Sequence, residues 1–503
     1  MALCGYSGGY MPSGGIDNLV GALPNLYGDF CKVINLKPSR EGRPIRAVKM
    51  GKGSGGGRRG VLLVGGLHAR ELLNPDSLIY FAFNLAYAYK NNKDYSMGGR
   101  TYAADFVKMV IEDMDIFILP LANPDGREYV LSPTGDRMWR GNRAPNPGED
   151  CKGVDVNRNF DFLWTSGIKT SANPCSSQQL YKGPSPFSEP ESQNVRDLLD
   201  TYSHIVGMLD VHSYSEFVLY PWGDDENQTT QPTMNFKNPS FDGERGQKGD
   251  SYKEYIPKKD LDWFVYVGNL MAEAIEAVRG KKYAVKQSVN LYPTSATSTD
   301  YGYCRHYVNN ADRKVLTYCI ETGPLVLKNG EPDFLTSFQP PFPEASCIME
   351  DAQAAFMEFC INILSVSGEI IEGIKFAGSG ALASSGGRSA RPSAAGRRLA
   401  KFLEDNRDEL MVLARTDKRL SRETAVVTKR LLPIIQSGRD GEPKAFDEAL
   451  VKRIDELLGR LGELGAPKLR RGAQAVRRDL QSFAGITLAD ALRKVDAGAR
   501  RGK

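Results

Sequence analysis

Apolar runs of strand length alternate with longer segments of helical character along the first part of the chain. The strand-like runs lie within 61–66, 114–126, 204–214 and 314–323, and the helical segments at 73–90 and 262–280. Strands that are apolar throughout are typical of parallel sheets covered by helices on both faces. The pattern therefore predicts an α/β domain, with a mixed, mostly parallel sheet flanked by helices, over about residues 16–370.

Two stretches within this region predict connections instead of regular elements. Residues 51–60 are so rich in glycine that they predict a flexible turn between two strands. Residues 223–260 are polar and rich in Gly, Pro, Asp and Lys. This composition predicts a long surface insertion ahead of a helix that begins near Asp262.

The last quarter of the chain differs from the rest. Residues 377–396 have the Gly, Ser and Ala content of a linker. Beyond them, apolar residues recur at helical spacing, which predicts about four short amphipathic helices. We therefore expect a large α/β domain over 1–376, a linker over 377–396 and a small all-α domain over 397–503.

Basic residues outnumber acidic ones from residue 391 onward, whereas acidic residues slightly outnumber basic ones before it. The basic excess fits a surface that contacts an acidic partner, nucleic acid or an anionic polymer, and it also fits a helical bundle with a solvated basic face. The second interpretation is favoured, because no nucleic-acid-binding motif accompanies the charge.

Composition narrows the class of protein. The chain has 503 residues, of which 41% are apolar and 25% charged, so it predicts a folded protein with ample core. No run approaches the roughly 18–20 apolar residues of a membrane-spanning helix, so we expect no membrane span. The first basic residue is Lys32, so the opening residues lack the basic region of a secretory signal.

The eight cysteines fall along the chain as four neighbouring couples: Cys4 and Cys31, Cys151 and Cys175, Cys304 and Cys319, and Cys347 and Cys360. Local pairing within these couples would suit an oxidising compartment. The alternative is eight reduced, partly buried thiols. No two cysteines have the CxxC spacing of a structural zinc site.

The chain has only four histidines, and two of them follow apolar strands. His68 comes after the run at 61–66 and precedes Glu71, while His212 ends the run at 204–212. The carboxyl ends of neighbouring strands are where α/β sheets place their ligand sites. Two His and one Glu are the ligands of a catalytic zinc that keeps one coordination position open. A lone strand histidine is more often a core residue, but this set predicts a metal site.

Several longer motifs surround these residues in order along the chain. They are GLHARE at 66–71, NPDG at 123–126, MWR at 138–140, GVDVNRNF at 153–160, HSYSEFVLYPWG at 212–223, LYPTSATSTDY at 291–301 and IETG at 320–323. In order and spacing they resemble the zinc metallocarboxypeptidases of the carboxypeptidase A/B branch, and within it the bacterial carboxypeptidase T group. The resemblance covers about residues 10–370 and none of the tail.

The resemblance implies one Zn²⁺ ion and a role for each matching residue. His68, Glu71 and His212 would hold the zinc, and Asp155 would hydrogen-bond the first histidine. Glu321 would be the catalytic base and Arg140 would stabilise the oxyanion. The substrate-binding set would be Arg70, Asn157, Arg158, Ser213, Tyr214, Tyr292 and Thr299. Cys151 and Cys175 would form the disulfide of the family.

Two features bear on the details of this assignment. The resemblance aligns Thr299 with the floor of the specificity pocket, where an apolar residue suits hydrophobic C-termini and an aspartate suits Lys or Arg. We therefore expect broad specificity that leans toward hydrophobic C-terminal residues, with basic ones admitted because Asp224, Asp225 and Glu226 are near in sequence. Glu321 is followed by Thr-Gly-Pro, which departs from the Leu-Arg-Asp of the pancreatic enzymes.

The resulting hypothesis is a monomeric exopeptidase that acts on peptides or proteins with a free C-terminal carboxylate. Paired cysteines and the resemblance favour an extracellular protein, although a cytoplasmic one stays open. Two alternatives remain. The same metal site would serve a peptidoglycan stem-peptide or glutamyl carboxypeptidase, or the domain would be an inactive scaffold with a partner-binding helical tail.

Overall fold

A computed structural model describes residues 4–53, 58–146, 148–308 and 313–366 of the chain. The expected linker over 377–396 and the expected helical domain over 397–503 lie outside these described residues. All that follows concerns the α/β region.

Fourteen strands are present in the described part of the chain: β1 (Cys31–Asn35), β2 (Arg46–Met50), β3 (Arg59–Gly65), β4 (Tyr95–Met97), β5 (Arg100–Tyr102), β6 (Met114–Leu119), β7 (Ile205–His212), β8 (Phe217–Tyr220), β9 (Asn227–Gln228), β10 (Glu254–Tyr255), β11 (Ala284–Gln287), β12 (Leu316–Glu321), β13 (Leu327–Lys328) and β14 (Glu331–Pro332). The same residues form nine α-helices: α1 (Ser13–Tyr27), α2 (Leu73–Lys90), α3 (Ala104–Asp113), α4 (Pro124–Leu131), α5 (Pro190–Thr201), α6 (Lys258–Arg279), α7 (Ser298–Val308), α8 (Phe334–Phe338) and α9 (Phe342–Ser365). Short 3-10 helices occupy Val156–Arg158, Pro239–Phe241 and Ser288–Asn290.

Eight strands form one mixed sheet in the order β1-β2-β6-β3-β7-β12-β8-β11. The four central strands, β6, β3, β7 and β12, are parallel to one another. Antiparallel pairs join β1 to β2, β2 to β6 and β8 to β12. The predicted fold class is confirmed, since a large sheet with a parallel centre is flanked by helices.

The apolar runs form the buried centre of this sheet. Every residue of β3, β6 and β7 is buried, which explains why these strands show no alternation of polar and apolar positions. The predicted helix at 73–90 is confirmed as α2. Helix α9 lacks an amphipathic pattern because it is buried along almost its whole length, and for this reason the sequence analysis misses it.

The polar segment 223–260 is a long insertion, but it contains some regular structure. Strands β9 and β10 pair in parallel within it, and helix α6 begins at Lys258, four residues before the predicted start. None of the described helices is both long and apolar enough to cross a bilayer.

Two disulfides join described cysteines, Cys151 to Cys175 and Cys4 to Cys347. The first is the pair that the resemblance implies. Local pairing is wrong for the other couples, because Cys31, Cys304, Cys319 and Cys360 are buried free thiols.

The disulfide between Cys4 and Cys347 depends on tertiary packing. The N-terminal segment packs on the start of α9, where the Tyr10 hydroxyl donates to the Pro340 carbonyl at 2.7 Å and the Tyr10 ring meets Phe342 edge-on. Cys4 therefore lies beside a cysteine 343 positions away in sequence.

Candidate metal centre

Three parallel strands bring the candidate residues to one edge of the sheet. Strands β3, β7 and β12 lie side by side in the sheet. His212 and Glu321 are the last residues of β7 and β12, and His68 follows the end of β3. The turn after β3 depends on Gly66, which has a φ of 67°. A Cβ atom there would lie 2.9 Å from side-chain atoms of Leu121 and Pro75, so only glycine fits this turn toward His68.

The side chains of His68, Glu71 and His212 converge at this edge, and all three are buried. Nδ1 of His68 lies 2.7 Å from Oε1 of Glu71, and Nδ1 of His212 lies 3.0 Å from Oε2. The two Nδ1 atoms are 3.1 Å apart. Among the described residues this is the one group of three or more His, Cys, Asp or Glu side chains arranged to hold a metal ion.

A carboxylate lies beside the other ring nitrogen, Nε2, of each imidazole. Oδ1 of Asp155 lies 3.2 Å from Nε2 of His68, a close contact that lacks the alignment of a full hydrogen bond. Oδ2 of Asp210 lies 2.9 Å from Nε2 of His212. Such partners fix a metal-binding histidine in one tautomer and increase its basicity.

Electrostatics within the group follow from these contacts. Burial alone would raise the pKa of Glu71, but the two imidazoles hold it well below its usual range. Burial would lower the pKa of His212, yet the negative charges of Asp210 and Glu71 raise it well above its usual range. Glu71 and His212 therefore stabilise the charged forms of each other's side chains.

The three side chains fit a zinc ion. Tetrahedral coordination at about 2.0–2.2 Å places ligand atoms roughly 3.3 Å apart, somewhat farther than the 2.7, 3.0 and 3.1 Å between the candidate atoms here. Two Nδ1 atoms and a carboxylate oxygen form a donor set that zinc favours, and three protein ligands leave a fourth position open.

Asp155 connects the metal group to Arg140. Its Oδ2 accepts a hydrogen bond of 2.7 Å from Nε of Arg140, and both side chains are buried. Although burial would raise it, the charge of Arg140 and the contact with His68 hold the pKa of Asp155 well below its usual range. Arg140 is thus fixed beside the metal group as a permanent cation.

Asn157 and Arg158 lie in the 3-10 helix that follows Asp155. Oδ1 of Asn157 accepts from the Ser298 amide at 2.8 Å, which turns its Nδ2 toward Nε2 of His212 at 3.3 Å. Two hydrogen bonds to backbone carbonyls, those of Asn157 and Lys169, hold the buried guanidinium of Arg158 in place. The structure therefore brings Asn157 to the metal group, while the positive charge of Arg158 acts on Asp155.

Glu321 is half-buried at the end of β12, in register with His212 on β7. Burial raises its pKa to about 8; the negative charge of Glu71 adds to this effect and the positive charge of His212 opposes it. The structure thus places a carboxyl of raised proton affinity beside the candidate ligands.

The remaining predicted residues lie around this centre. Ser213 is buried, and its amide donates to Oε2 of Glu71 at 3.1 Å. The Tyr214 ring packs edge-on against Phe338, and the guanidinium of Arg70 lies 4.5 Å from the centre of the same ring. Tyr292 is 38% exposed.

Thr299 is buried in the first turn of α7. The next residue, Asp300, accepts hydrogen bonds from the Gly223 amide at 3.1 Å and from the Thr297 hydroxyl at 3.0 Å. Burial, together with the charge of Asp224, raises the pKa of Asp300 to about 8. The carboxyl group nearest to Thr299 in sequence is thus occupied by internal hydrogen bonds.

Comparison with known proteins identifies the family of the chain. A family model described as zinc carboxypeptidase matches residues 16–351. The chain belongs to the zinc carboxypeptidase family. Carboxypeptidase A4 of Mus musculus is 29% identical over 59% of this chain and 60% of its own length. Carboxypeptidase B of Helicoverpa zea is 35% identical over 42% of this chain and 46% of its own length.

The matched part of the chain therefore spans about 60% or less of the length of these curated relatives. Two Talaromyces relatives, 32% and 30% identical, carry the name inactive metallocarboxypeptidase. The crystal structure of thrombin activatable fibrinolysis inhibitor has a TM-score of 0.54 at 23% identity, covering 70% of this chain and 74% of that one. This likeness agrees with the zinc carboxypeptidase fold.

Asp210 is a residue of this candidate metal centre that the sequence analysis misses. It is two positions before His212 on β7, so both side chains point to the same face of the sheet. That spacing is a signal in the sequence that would have found it. Asn74 and Thr322 also contact the metal group, but no local pattern relates two residues so far apart.

Proposed function

We propose that this protein is a zinc-dependent carboxypeptidase that hydrolyses the C-terminal peptide bond of peptides or proteins. The observation that carries the proposal is the convergence of His68, Glu71 and His212 at a sheet edge where Glu321 lies in register with His212. The substrate, the activity and the role of each residue are part of this proposal.

Each residue has a role that follows from its position. A zinc ion in such a site supplies a Lewis acid and a water of lowered pKa. Glu321 takes a proton from the attacking water and later delivers it to the leaving amine, a transfer suited to a carboxyl of raised pKa. Arg140 is held by Asp155 and stabilises negative charge on the scissile carbonyl oxygen.

Asn157 and Arg158 bind the terminal carboxylate of the substrate in this proposal. A guanidinium offers five N–H donors and pairs with a carboxylate through two parallel hydrogen bonds. Because Arg158 is buried, an internal peptide bond would leave its charge unpaired. This penalty makes the enzyme an exopeptidase.

We also propose broad specificity that leans toward hydrophobic C-terminal residues. Thr299 carries no charge, and the adjacent Asp300 uses its oxygens for the Gly223 amide and the Thr297 hydroxyl. Neither Thr299 nor Asp300 then offers a free carboxylate to a basic side chain, which favours hydrophobic side chains over Lys and Arg. The buried carboxyl of Asp224, whose charge acts on Asp300, leaves basic side chains admitted.

The alternatives receive less support. An inactive scaffold is disfavoured because the ligand set, Arg140 and Glu321 are all present in the site. A peptidoglycan or glutamyl carboxypeptidase uses the same chemistry, and no contact of the described residues favours such a substrate.

The test uses the full chain and two peptides that differ only in a free or amidated C-terminus. We expect hydrolysis of the free acid, loss of hydrolysis with a chelator and recovery on addition of Zn²⁺. Cleavage of the amide at a similar rate would contradict the exopeptidase proposal. Absence of hydrolysis by zinc-loaded protein would favour the scaffold.

Two broader statements accompany this proposal. The two disulfides support an extracellular location, because such bonds persist in oxidising compartments. We also propose that residues 1–376 form the catalytic domain and that the basic region 397–503 contacts an acidic partner or remains solvated. Hydrolysis by a chain truncated after 376 tests the independence of the catalytic domain, and a large loss would contradict it.

A further inference from the structure

Asn74 is fully buried between the metal group and the end of β12. It lies in the first turn of α2, three residues after Glu71. Its Nδ2 is 3.4 Å from Oε2 of Glu71 and 3.4 Å from Oγ of Ser213. The amide therefore faces the carboxylate oxygen that also contacts His212.

Thr322 contacts the oxygen atom of the same side-chain amide. Its hydroxyl lies 2.9 Å from Oδ1 of Asn74 and 2.9 Å from the His212 carbonyl oxygen, and its backbone amide donates to that carbonyl at 2.8 Å. A hydroxyl has one proton, so these two acceptors share it. Thr322 directly follows Glu321 and is buried.

These contacts orient the Asn74 amide. Because Oδ1 accepts from the Thr322 hydroxyl, the NH₂ group must point toward Glu71 and Ser213. One buried amide thus connects a candidate zinc ligand to the strand end that carries the proposed base.

We infer that Asn74 and Thr322 form an amide–hydroxyl bridge that positions Glu71 for zinc and keeps Glu321 in register with His212. They are positioning residues, since neither belongs to the ligand set. The inference rests on the proposed function, because it assigns zinc to this site. Outer hydrogen-bond partners of metal ligands typically contribute 10–100-fold to metal affinity or activity.

The chain offers a matched control on the same strand. Thr317 is fully buried on β12, and its hydroxyl has no hydrogen-bond partner within the described residues. Thr322→Val and Thr317→Val therefore each remove one buried hydroxyl group. The hydroxyl of Thr322 belongs to the contacts with Asn74, whereas that of Thr317 does not. The bridge predicts that only the first substitution changes metal binding.

The experiment measures the Zn²⁺ dissociation constant of the full chain by competition with a chromophoric chelator. We expect Thr322→Val to weaken zinc binding about tenfold, with Thr317→Val equal to wild type and Thr322→Ser close to it. Thr322→Val should also lower kcat with KM little changed, because Asn157 and Arg158 still bind the substrate. Equal zinc affinity in Thr322→Val and Thr317→Val would overturn the inference.

Asn74→Ala gives an independent arm should Thr322→Val fail to fold. We expect the same weakening of zinc binding, and the double variant should be no weaker than the worse single variant, because the two residues act as one unit. Fully additive losses would overturn the bridge. Zinc affinity is measured without substrate, so a wild type that binds zinc tightly but hydrolyses no peptide refutes the proposed function and still tests this inference.

Discussion

Oδ2 of Asp210 lies 2.9 Å from Nε2 of His212, on the side of the imidazole opposite to the metal group. The same carboxylate accepts a hydrogen bond from the Ser298 hydroxyl at the start of α7. Asp155 makes the corresponding contact with His68. Both candidate histidine ligands are thus backed by a buried carboxylate, and each carboxylate is held by a further side chain.

Replacement of Asp210 tests this relationship. Asp210→Asn removes the negative charge behind His212, and we expect zinc affinity to fall about 10–100-fold. The measurement is chelator competition. The control is Asp115→Asn, since Asp115 makes a similar contact of 3.0 Å with His204 away from the metal group. Equal zinc affinities in the two variants would contradict the role of Asp210.

Glu321→Gln tests the proposed base. The amide keeps the size of the side chain but cannot accept the proton of the attacking water, so we expect kcat to fall by about 10²–10⁴-fold. Zinc binding should persist, because Glu321 is outside the ligand set. Glu331→Gln, a change at an exposed residue of β14, serves as the control for both measurements. Unaltered turnover in Glu321→Gln would show that another group is the base.

Thr299→Asp tests the specificity pocket. A carboxylate at this buried position should attract a basic C-terminal side chain and disfavour an apolar one. We expect the ratio of kcat/KM for Lys-terminated over Phe-terminated peptides to rise at least about tenfold. Thr299→Ser should leave the ratio nearly unchanged. An unchanged ratio in Thr299→Asp would place the pocket floor elsewhere.

Glu191 provides a stability test away from the metal group. It is fully buried at the start of α5, where Asn142 donates to its Oε2 at 3.1 Å and its Oε1 has no partner within the described residues. Burial, with added repulsion from Glu189, raises the pKa of Glu191 to about 8. The folded protein therefore binds a proton that the unfolded chain releases near pH 4.

This difference fixes the sign of the pH dependence. The contribution of Glu191 to the free energy of unfolding is fully present below about pH 4 and is lost as the pH rises toward 8. Glu191→Gln should remove this dependence, and its free energy of unfolding at pH 8.5 should exceed that of wild type by on the order of 5 kcal/mol. Urea unfolding at pH 5 and pH 8.5 measures the free energy of unfolding of wild type and variant, with Glu331→Gln as the control. A stability difference between wild type and Glu191→Gln that does not change with pH would contradict the raised pKa.

The sequence predicted the centre of the fold well. Strands β3, β6 and β7 are buried on both faces, so their uninterrupted apolar runs report their position directly. The sequence did not predict α9, because a helix that is buried on nearly all sides has no polar face from which the helical period can be recognised. It also failed for Cys4, whose partner Cys347 is brought near only by the packing of the N-terminal segment on α9.

By itself the sequence determined the candidate donor groups, because His68 and Glu71 lie three positions apart and His212 ends a strand of the same apolar type. Only the tertiary structure decided how the site is supported. The bridge from Asn74 to Thr322 joins residues 248 positions apart. No periodic pattern in the sequence brings Asp155 to His68, a contact that only the family resemblance implied. The residue types of the candidate ligands follow from the local sequence, whereas the orientation of their side chains depends on which strands and helices lie side by side in the fold.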